Sequence, residues 1–401
     1  MKFFDVMSRR LLAVIFLASL FLPSVARADN DNRLGFGVRN VTEVYDFEFF
    51  HVPTWPGRTE LGDFVNPFLE YHYNDYAAVE LGAIMEKAYG GNVATDNSAV
   101  IGPVLPWFRL STHPFKSVVF RLGNIAYPHG FYAPIYFPPV QYETQLTEQG
   151  IQILYDDKDR PYMPHNDFFY AYQHQDLASS PLEKFDWGDV MQGRWGHFRM
   201  DYQADWIHLG GQETSDQRTI ADTNDTVQLL GPGLDFPHWG LTADYLISHF
   251  SSQGENNSLF STNGNAQYAE AYTVWGNLRF SYIYWNMFQY RHGDTSPNST
   301  DIYANPVFLD HSFVQAFCTR WNSTWNDFLH ISLEYLGYNF AGASPGKFLP
   351  VESELHLKAS WEFHVPILEW KTKEGPPIKT DPDFQTAPAG TAGPEFNSLD
   401  F

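Results

Sequence analysis

The sequence predicts an all-β protein, a transmembrane antiparallel up-and-down β-barrel of about 16 strands, within a range of about 14–18. Three observations predict it. Apolar and polar residues alternate with period 2 from one end of the chain to the other. Short connections alternate with long ones. A secretory leader precedes a chain that has a single cysteine, Cys318, and so no internal disulfide.

The leader comes first. Lys2, Arg9 and Arg10 give a positive start, Leu11–Val25 is a short apolar run, and Ala26-Arg27-Ala28 is a small-x-small cleavage site. Residues 1–28 therefore read as a signal peptide, with the mature chain starting near Asp29. The formal net charge is −22. Removing the leader, with its four basic groups and one acid, makes it more negative, which excludes nucleic acid as a partner class. Aromatic residues are 17% of the chain and charged ones 18%. That composition supports a folded chain rather than a disordered one.

The alternation then defines strands over 34–50, 64–73, 77–88, 100–111, 116–125, 148–155, 167–175, 186–195, 198–209, 225–232, 239–250, 266–276, 278–290, 313–321, 328–339 and 353–365. In "FRMDYQADW", Phe198, Met200, Tyr202, Ala204 and Trp206 share one face, and Arg199, Asp201, Gln203 and Asp205 the other. "WGLTADYLI" and "LHISLEY" repeat the pattern. The clean strands run about 9–12 residues, the length that crosses a bilayer at a tilt. Short connections at "NDY", "STHP", "GH", "DFPH" and "NSTWN" alternate with long polar or Pro/Gly-rich segments, among them 89–99, 126–147, 210–224 and 291–312. "DDKDRPYMPHN" (156–166) is longer than the short connection expected there. The barrel is thus assigned to residues 29–365, and the Pro/Gly/Thr-rich stretch 366–401 to a flexible tail. A secreted soluble all-β protein is the alternative reading, since sandwiches also alternate; the long strands and the turn/loop alternation count against it.

The last predicted strand, "SELHLKASWEFHVP", carries a further pattern. Lys358, Ser360, Phe363 and Val365 fit the polar, small and two apolar positions of a barrel assembly signal, with Ser360 where glycine is usual. Over about residues 34–365 the chain resembles bacterial outer-membrane β-barrel proteins of the porin type. The resemblance implies export to the bacterial outer membrane, contact with outer-membrane lipid and with the barrel assembly machinery, and a homo-oligomer as one form, since porins of this size are often trimers.

A barrel of this width leaves a lumen that wall side chains alone do not fill. The polar faces supply its candidate lining: Arg121, Arg199, Asp201, Asp205, Asp244, Glu334 and Glu362. The aromatic, proline-rich stretch 126–147 supplies a candidate constriction through Tyr127, Phe131, Tyr132, Tyr136 and Phe137. Aromatic faces beside acids suit sugar rings. The expected function is therefore a channel for small polar neutral or cationic solutes, sugars among them. A polysaccharide exporter and a structural sleeve around a partner protein are the alternatives. No HExxH, EF-hand, phosphate-binding or redox motif is present, so the sequence predicts no cofactor, no metal, no catalytic residue and no enzyme. The enzyme alternative is an outer-membrane hydrolase, and it would need a Ser/His pair near the membrane rim.

Overall fold

The structure is a computed structural model, and it describes residues 31–48, 58–74, 76–90, 104–125, 149–157, 165–173, 184–209, 222–253, 259–288, 313–325, 329–340 and 352–371. Sixteen strands account for nearly all of these: β1 (Asp31–Glu48), β2 (Arg58–Tyr73), β3 (Ala77–Gly90), β4 (Val104–Phe115), β5 (Val118–Asn124), β6 (Gln149–Asp156), β7 (His165–Gln173) and β8 (Lys184–Trp195), then β9 (Phe198–Leu209), β10 (Asp222–Phe236), β11 (Trp239–Gln253), β12 (Leu259–Trp275), β13 (Leu278–Phe288), β14 (Phe313–Trp325), β15 (Leu329–Phe340) and β16 (Glu352–Lys371). Each pairs antiparallel with its sequence neighbours, and β1 pairs with β16, so the sheet closes with no free edge. The predicted signal peptide, the stretch holding Tyr127, Phe131, Tyr132, Tyr136 and Phe137, and the predicted tail beyond Lys371 lie outside the described residues.

Alternation decides which way each side chain points, because successive residues face opposite sides of a strand. On β11, Trp239, Leu241, Tyr245 and Ile247 face outward and are exposed, while Thr242, Asp244, Leu246 and Ser248 face inward and are buried. On β16, Leu355, Leu357, Phe363 and Val365 point out, and Glu354, His356 and Ser360 point in. At the short-turn end, Tyr73, Trp195, Phe198, Trp239, Trp275 and Trp325 are exposed and ring the outside. This is an aromatic girdle of the kind found where a barrel meets the lipid headgroups. An apolar outer belt bounded by such a girdle is the surface of a membrane-spanning barrel.

The turns follow from local chemistry. Gly196 and Gly276 have φ of 62° and 59° and carry tight two-residue hairpins, where a left-handed backbone matches the strand twist. Most predicted boundaries move by a few residues, and three of the shifts have a clear local cause. β4 continues through "STHP" to Phe115, with a register shift between Thr112 and Phe115, and the turn falls at Lys116-Ser117. β10 continues through Gly231-Pro232-Gly233, residues that normally end a strand. The glycines are needed there: a Cβ at Gly231 would run into Asp244, and one at Gly233 would come within 3.0 Å of the Arg199 guanidinium. β16 runs past the predicted end at 365 to Lys371, because β1 offers partners as far as Asp31.

Depth along the strand sets how much an outward charge costs. Leu230 lies opposite Tyr245 in the middle of the belt, and Trp275 lies at the girdle. Leu230→Arg should lower unfolding free energy in lipid vesicles by about 2–4 kcal/mol and Trp275→Arg by about 0–1. Urea titration of the refolded barrel measures both, and equal costs would refute the assigned depth.

Candidate functional site

Two regions of the wall bear reactive groups, one inside and one outside. Inside, the polar faces of the strands meet as paired charges. Arg39 on β1 donates to Glu80 on β3 through Nη1 (2.7 Å) and Nη2 (2.9 Å), and to Glu362 on β16 through Nε (2.9 Å). Trp107 Nε1 donates to the same Glu80 carboxylate at 2.9 Å. The Arg39 guanidinium lies 4.0 Å from the Phe68 ring centroid. His364 bridges Glu70 (3.1 Å) and Glu362 (2.8 Å), and His72 meets Glu70 at 3.0 Å. This chain of contacts crosses β16, β1, β2, β3 and β4. It can cross because β1 has Gly37 where a Cβ would fall inside the Phe68 ring, and Gly35 where a Cβ would lie 2.7 Å from Glu70 Oε1.

A second inner network is centred on Arg199. It donates to Asp201 (2.7 Å), Asp235 (2.9 Å) and Thr242 (2.6 Å), and Tyr272 donates to Asp235 at 2.8 Å. A Cβ at Gly240 would collide with the Tyr272 ring. Further round, Arg320 pairs with Glu334, Arg279 with Glu270 at 2.7 Å, and Lys358 with Glu43 at 3.0 Å.

The described residues predicted to line a lumen are on the inner face, and four of them are held in ion pairs with wall neighbours. Arg199 and Asp201 share one network, Glu334 belongs to the Arg320 pair, and Glu362 lies between Arg39 and His364. Arg121 donates to Gln152 at 3.0 Å, apart from these. Asp205 and Asp244 are buried on the inner wall. Of the predicted assembly signal, Lys358 and Ser360 are on the inner face and Phe363 and Val365 on the outer. Higher on the wall, Val227, Leu229, Leu246, Ala266, Ile283, Trp285, Val314, Ala316 and Leu336 also face inward and are fully buried, so over β10–β15 the inner wall becomes largely apolar with distance from the turns, while Asp186 on β8 and Glu354 on β16 keep it acidic at that height.

The outer region sits at the opposite end from the girdle, about 10 residues up the tilted strand from Trp239, roughly the height of a barrel's apolar belt. There β11 places His249 on the outward face, where the apolar side chains of Trp239 to Ile247 precede it. His249 Nδ1 is 2.7 Å from Asn263 Oδ1, its direct cross-strand partner on β12. An amide oxygen accepts, so Nδ1 carries the proton and Nε2 is left as the basic nitrogen. Two residues on, Ser251 shares the outward face, at a same-strand spacing of roughly 6.6 Å between Cα atoms. Ser251 is opposite Asn224 on β10 and Ser261 on β12. Asn224 Oδ1 is 2.9 Å from Nδ1 of His208 on β9. The His208 ring stacks on Phe185, with centroids 4.6 Å apart.

This arrangement holds the parts of a nucleophilic hydrolase: a hydroxyl, an imidazole with its Nε2 basic, and an amide that orients the imidazole. The inner histidine lacks that freedom. His364 has a carboxylate oxygen against each ring nitrogen, so both nitrogens donate and neither is left to take a proton from a nucleophile. Sequence reading missed the outer group. The signal was present in "LISHFSS", where His249 and Ser251 hold the phase of the apolar face at the end of a strand.

Removing a partner from the inner network should destabilise the barrel. Arg39→Ala would leave Glu80 with only the more distant Arg109 and Glu362 with only His364, and should cost about 3–5 kcal/mol. Arg39→Lys, which keeps the charge but loses the two-pronged geometry, should cost less. Urea unfolding in vesicles checks the order, and a neutral Arg39→Ala would contradict it.

Comparison with known proteins follows this geometry. A family model described as "Lipid A 3'-O-deacylase-type" matches residues 26–341. No curated protein matches. Among solved structures, the chain is similar to outer-membrane expressed OmpT of Vibrio cholerae, with 10% identity, 85% of this chain and 100% of that one covered, and a TM-score of 0.46. It is similar to Salmonella typhi OmpF in complex with daunomycin (10% identity, 83% and 98% covered, TM-score 0.45) and to a triple mutant of the Rhodopseudomonas blastica porin (9% identity, 82% and 100% covered, TM-score 0.41). These three likenesses are too distant to bear on activity. The family match corrects one expectation: the chain was predicted not to be an enzyme, and the family is named for an enzyme that cleaves ester bonds. The prediction failed because it sought named motifs, and the His249/Ser251 pair matches none of them, while Asn263 is brought to His249 only by strand register. With residues 26–341 of its 401 matched, the chain belongs to the lipid A 3'-O-deacylase-type family.

Proposed function

We propose that this protein is an outer-membrane esterase that removes an ester-linked acyl chain from an acylated glycolipid of the lipid A type, with the reaction at the lipid-facing rim. The observation that carries the proposal is the 2.7 Å contact of His249 with Asn263 on the outward face, in phase with Ser251. Family membership supplies the reaction class, and the matched residues 26–341 include all three groups. The rim also suits the substrate, since the ester linkages of a membrane glycolipid lie between its sugars and its hydrocarbon. Long loops mark the extracellular end of such barrels, so the rim next to them meets the outer leaflet.

In the proposed reaction Ser251 Oγ attacks the ester carbonyl while its proton passes to His249 Nε2. Asn263 holds the imidazole in the tautomer that can accept it. The tetrahedral intermediate collapses by breaking the bond to the sugar oxygen, which leaves as a hydroxyl with the proton from Nε2. Water then attacks the acyl-serine, gives its proton to Nε2, and releases the fatty acid as Ser251 recovers its hydrogen. No metal or redox partner is needed to balance these steps.

The predicted channel for polar or cationic solutes draws less support, and so do an exporter or a sleeve. Of the charges meant to line the pore, Arg199, Asp201, Glu334 and Glu362 are held in inner-wall ion pairs, and on β10–β15 the wall above them is largely apolar.

The test uses the purified full chain in vesicles containing lipid A, with released fatty acid and the deacylated product read by mass spectrometry. Ser251→Ala and His249→Ala should each lower turnover by about 10³-fold or more, and Asn263→Ala by less. Deacylation at the unaltered rate by Ser251→Ala would overturn the assignment.

A further inference from the structure

We infer that Arg109 and Arg121 form a binding site on the inner wall for a small water-soluble phosphate, either inorganic phosphate or a phosphate monoester. The inference is independent of the rim and of any role for Ser251. It comes from a local excess of hydrogen-bond donors over carboxylates on β4 and β5.

The excess can be followed residue by residue. Arg109 on β4 lies opposite Glu80 on β3. Glu80 is already engaged: it accepts from both Nη atoms of Arg39, at 2.7 and 2.9 Å, and from Trp107 Nε1 at 2.9 Å. Arg109 Nη1 is 4.0 Å from it, beyond a hydrogen bond. The hydrogen bond that Arg109 does make, from Nε at 2.8 Å, goes to the backbone oxygen of Asn124, which carries no net charge. Arg121 on β5 donates from Nη1 to the amide oxygen of Gln152 at 3.0 Å. Gln152 in turn donates to Asp167, so that carboxylate meets an amide rather than the guanidinium. Arg121 Nε and Asn124 Nδ2 are buried without an acceptor, so the two orphaned atoms of β5 are both donors. Nη2 of Arg109 and Nη2 of Arg121 also have no acceptor among the described residues. Two inward arginines without a carboxylate of their own, in a chain of net charge −22, call for an anion from outside the wall.

The geometry suits a tetrahedral anion. Register sets Arg109 opposite Gly123 and Arg121 opposite Ser111, so the arginines are diagonal neighbours across the β4–β5 pair. Diagonal neighbours are about 7–8 Å apart, within reach of long side chains. The residues that face them are small. Gly123 must be: its φ is 96°, and a Cβ there would run into the Phe108 carbonyl. The Arg109 guanidinium is fixed by its bond to Asn124 and by the Trp107 ring, whose centroid is 4.6 Å away. A planar carboxylate satisfies the fork of one guanidinium, whereas a phosphate directs oxygens toward two at once. The Arg109 side chain keeps 11% of its surface exposed and Arg121 is half-buried, so the pair can be reached from within the barrel. Facing inward, it is separated by the wall from the phosphates of membrane lipid.

The experiment measures binding of radiolabelled inorganic phosphate to the full chain, in micelles of a phosphate-free detergent, by equilibrium dialysis at constant ionic strength. The native chain should bind one phosphate per barrel. Arg109→Gln and Arg121→Gln should each weaken binding by about tenfold or more, and Arg121→Lys by less. Lys116→Gln, in the exposed β4–β5 turn, should bind as the native chain does. Acetate should displace phosphate only in about tenfold excess or more, and lipid A added to the micelles should not displace it. Because no carboxylate relies on Arg121, Arg121→Gln should keep the native urea midpoint, so its loss of binding is read in a folded barrel. Phosphate should raise the urea midpoint of the native chain above that in chloride of equal ionic strength. No saturable binding and no such rise would overturn the inference, as would native affinity in folded Arg109→Gln and Arg121→Gln. Acetate competing as well as phosphate would overturn the assignment to phosphate, and displacement by lipid A the assignment to a soluble ligand. A urea midpoint for Arg121→Gln as low as that of Arg39→Ala would show Arg121 committed to the wall and overturn the site.

Discussion

The pairing of β1 with β16 is the constraint on which the rest depends. In hydrocarbon every backbone N–H and C=O must find a partner within the protein, and an open sheet leaves two edges without one. The chain meets this by joining its first and last strands over Asp31–Glu48 and Ser353–Lys371. This contact lies between elements more than three hundred residues apart in sequence, so forming it carries the largest loop-closure cost in the fold. The densest inner charge network sits across the same seam. Arg39 on β1 reaches Glu362 on β16 and Glu80 on β3, and His364 on β16 reaches over Gly37 and Gly35 to Glu70 on β2. Directional contacts of this kind specify register. A one-residue slip of β16 would turn His364 and Glu362 outward into lipid and Phe363 inward among the carboxylates.

Closure also decides where chemistry can take place. Outward side chains in the belt must be apolar, and Leu230, Leu241, Tyr245 and Ile247 are. Inward side chains at the turn end are charged, but each charge removed from water needs a counter-charge, and the wall supplies them as Arg39–Glu80, Arg199–Asp201, Arg279–Glu270 and Arg320–Glu334. Groups held in this way are poor at exchanging protons with a substrate. The end of the belt is different. There the outward face passes from hydrocarbon to headgroup, and polar residues such as His249, Ser251, Asn224 and Asn263 can be carried without charge compensation while still facing the membrane lipid.

The fold was legible because each of its signals is local. Alternation over nine or more residues, as in 198–209 or 239–250, fixes strand, face and membrane-spanning length together. The misread boundaries occur where tertiary packing overrides local propensity. The predicted strand ends at Pro232, yet β10 runs on to Phe236, with Gly231 and Gly233 making room for Asp244 and Arg199 and Pro232 pointing outward. The candidate site was far less legible. His249 and Asn263 are separated by a loop, and His208 and Asn224 by another. Only register brings them into rows. The charged residues chosen as pore lining lie on the inner face, a placement that strand parity alone decides. Their partners are set by neighbouring strands and could not be read from any one of them.

The choice of Asn263 to orient His249 has a physical basis in this location. The usual orienting group is an aspartate, which fixes the imidazole tautomer and also stabilises the imidazolium that forms during the reaction. At the edge of the hydrocarbon an ionised aspartate loses much of its hydration, and the inner wall shows what compensation requires, with Glu80, Asp201, Glu270 and Glu334 each set against an arginine. Asn263 Oδ1 still accepts from Nδ1 and so selects the same tautomer, at no cost in buried charge. What is given up is electrostatic support for the imidazolium. The low effective dielectric of the rim then places more of the stabilisation on hydrogen-bond donors aimed at the developing oxyanion. A neutral orienter is thus the consistent solution for ester cleavage carried out in contact with lipid.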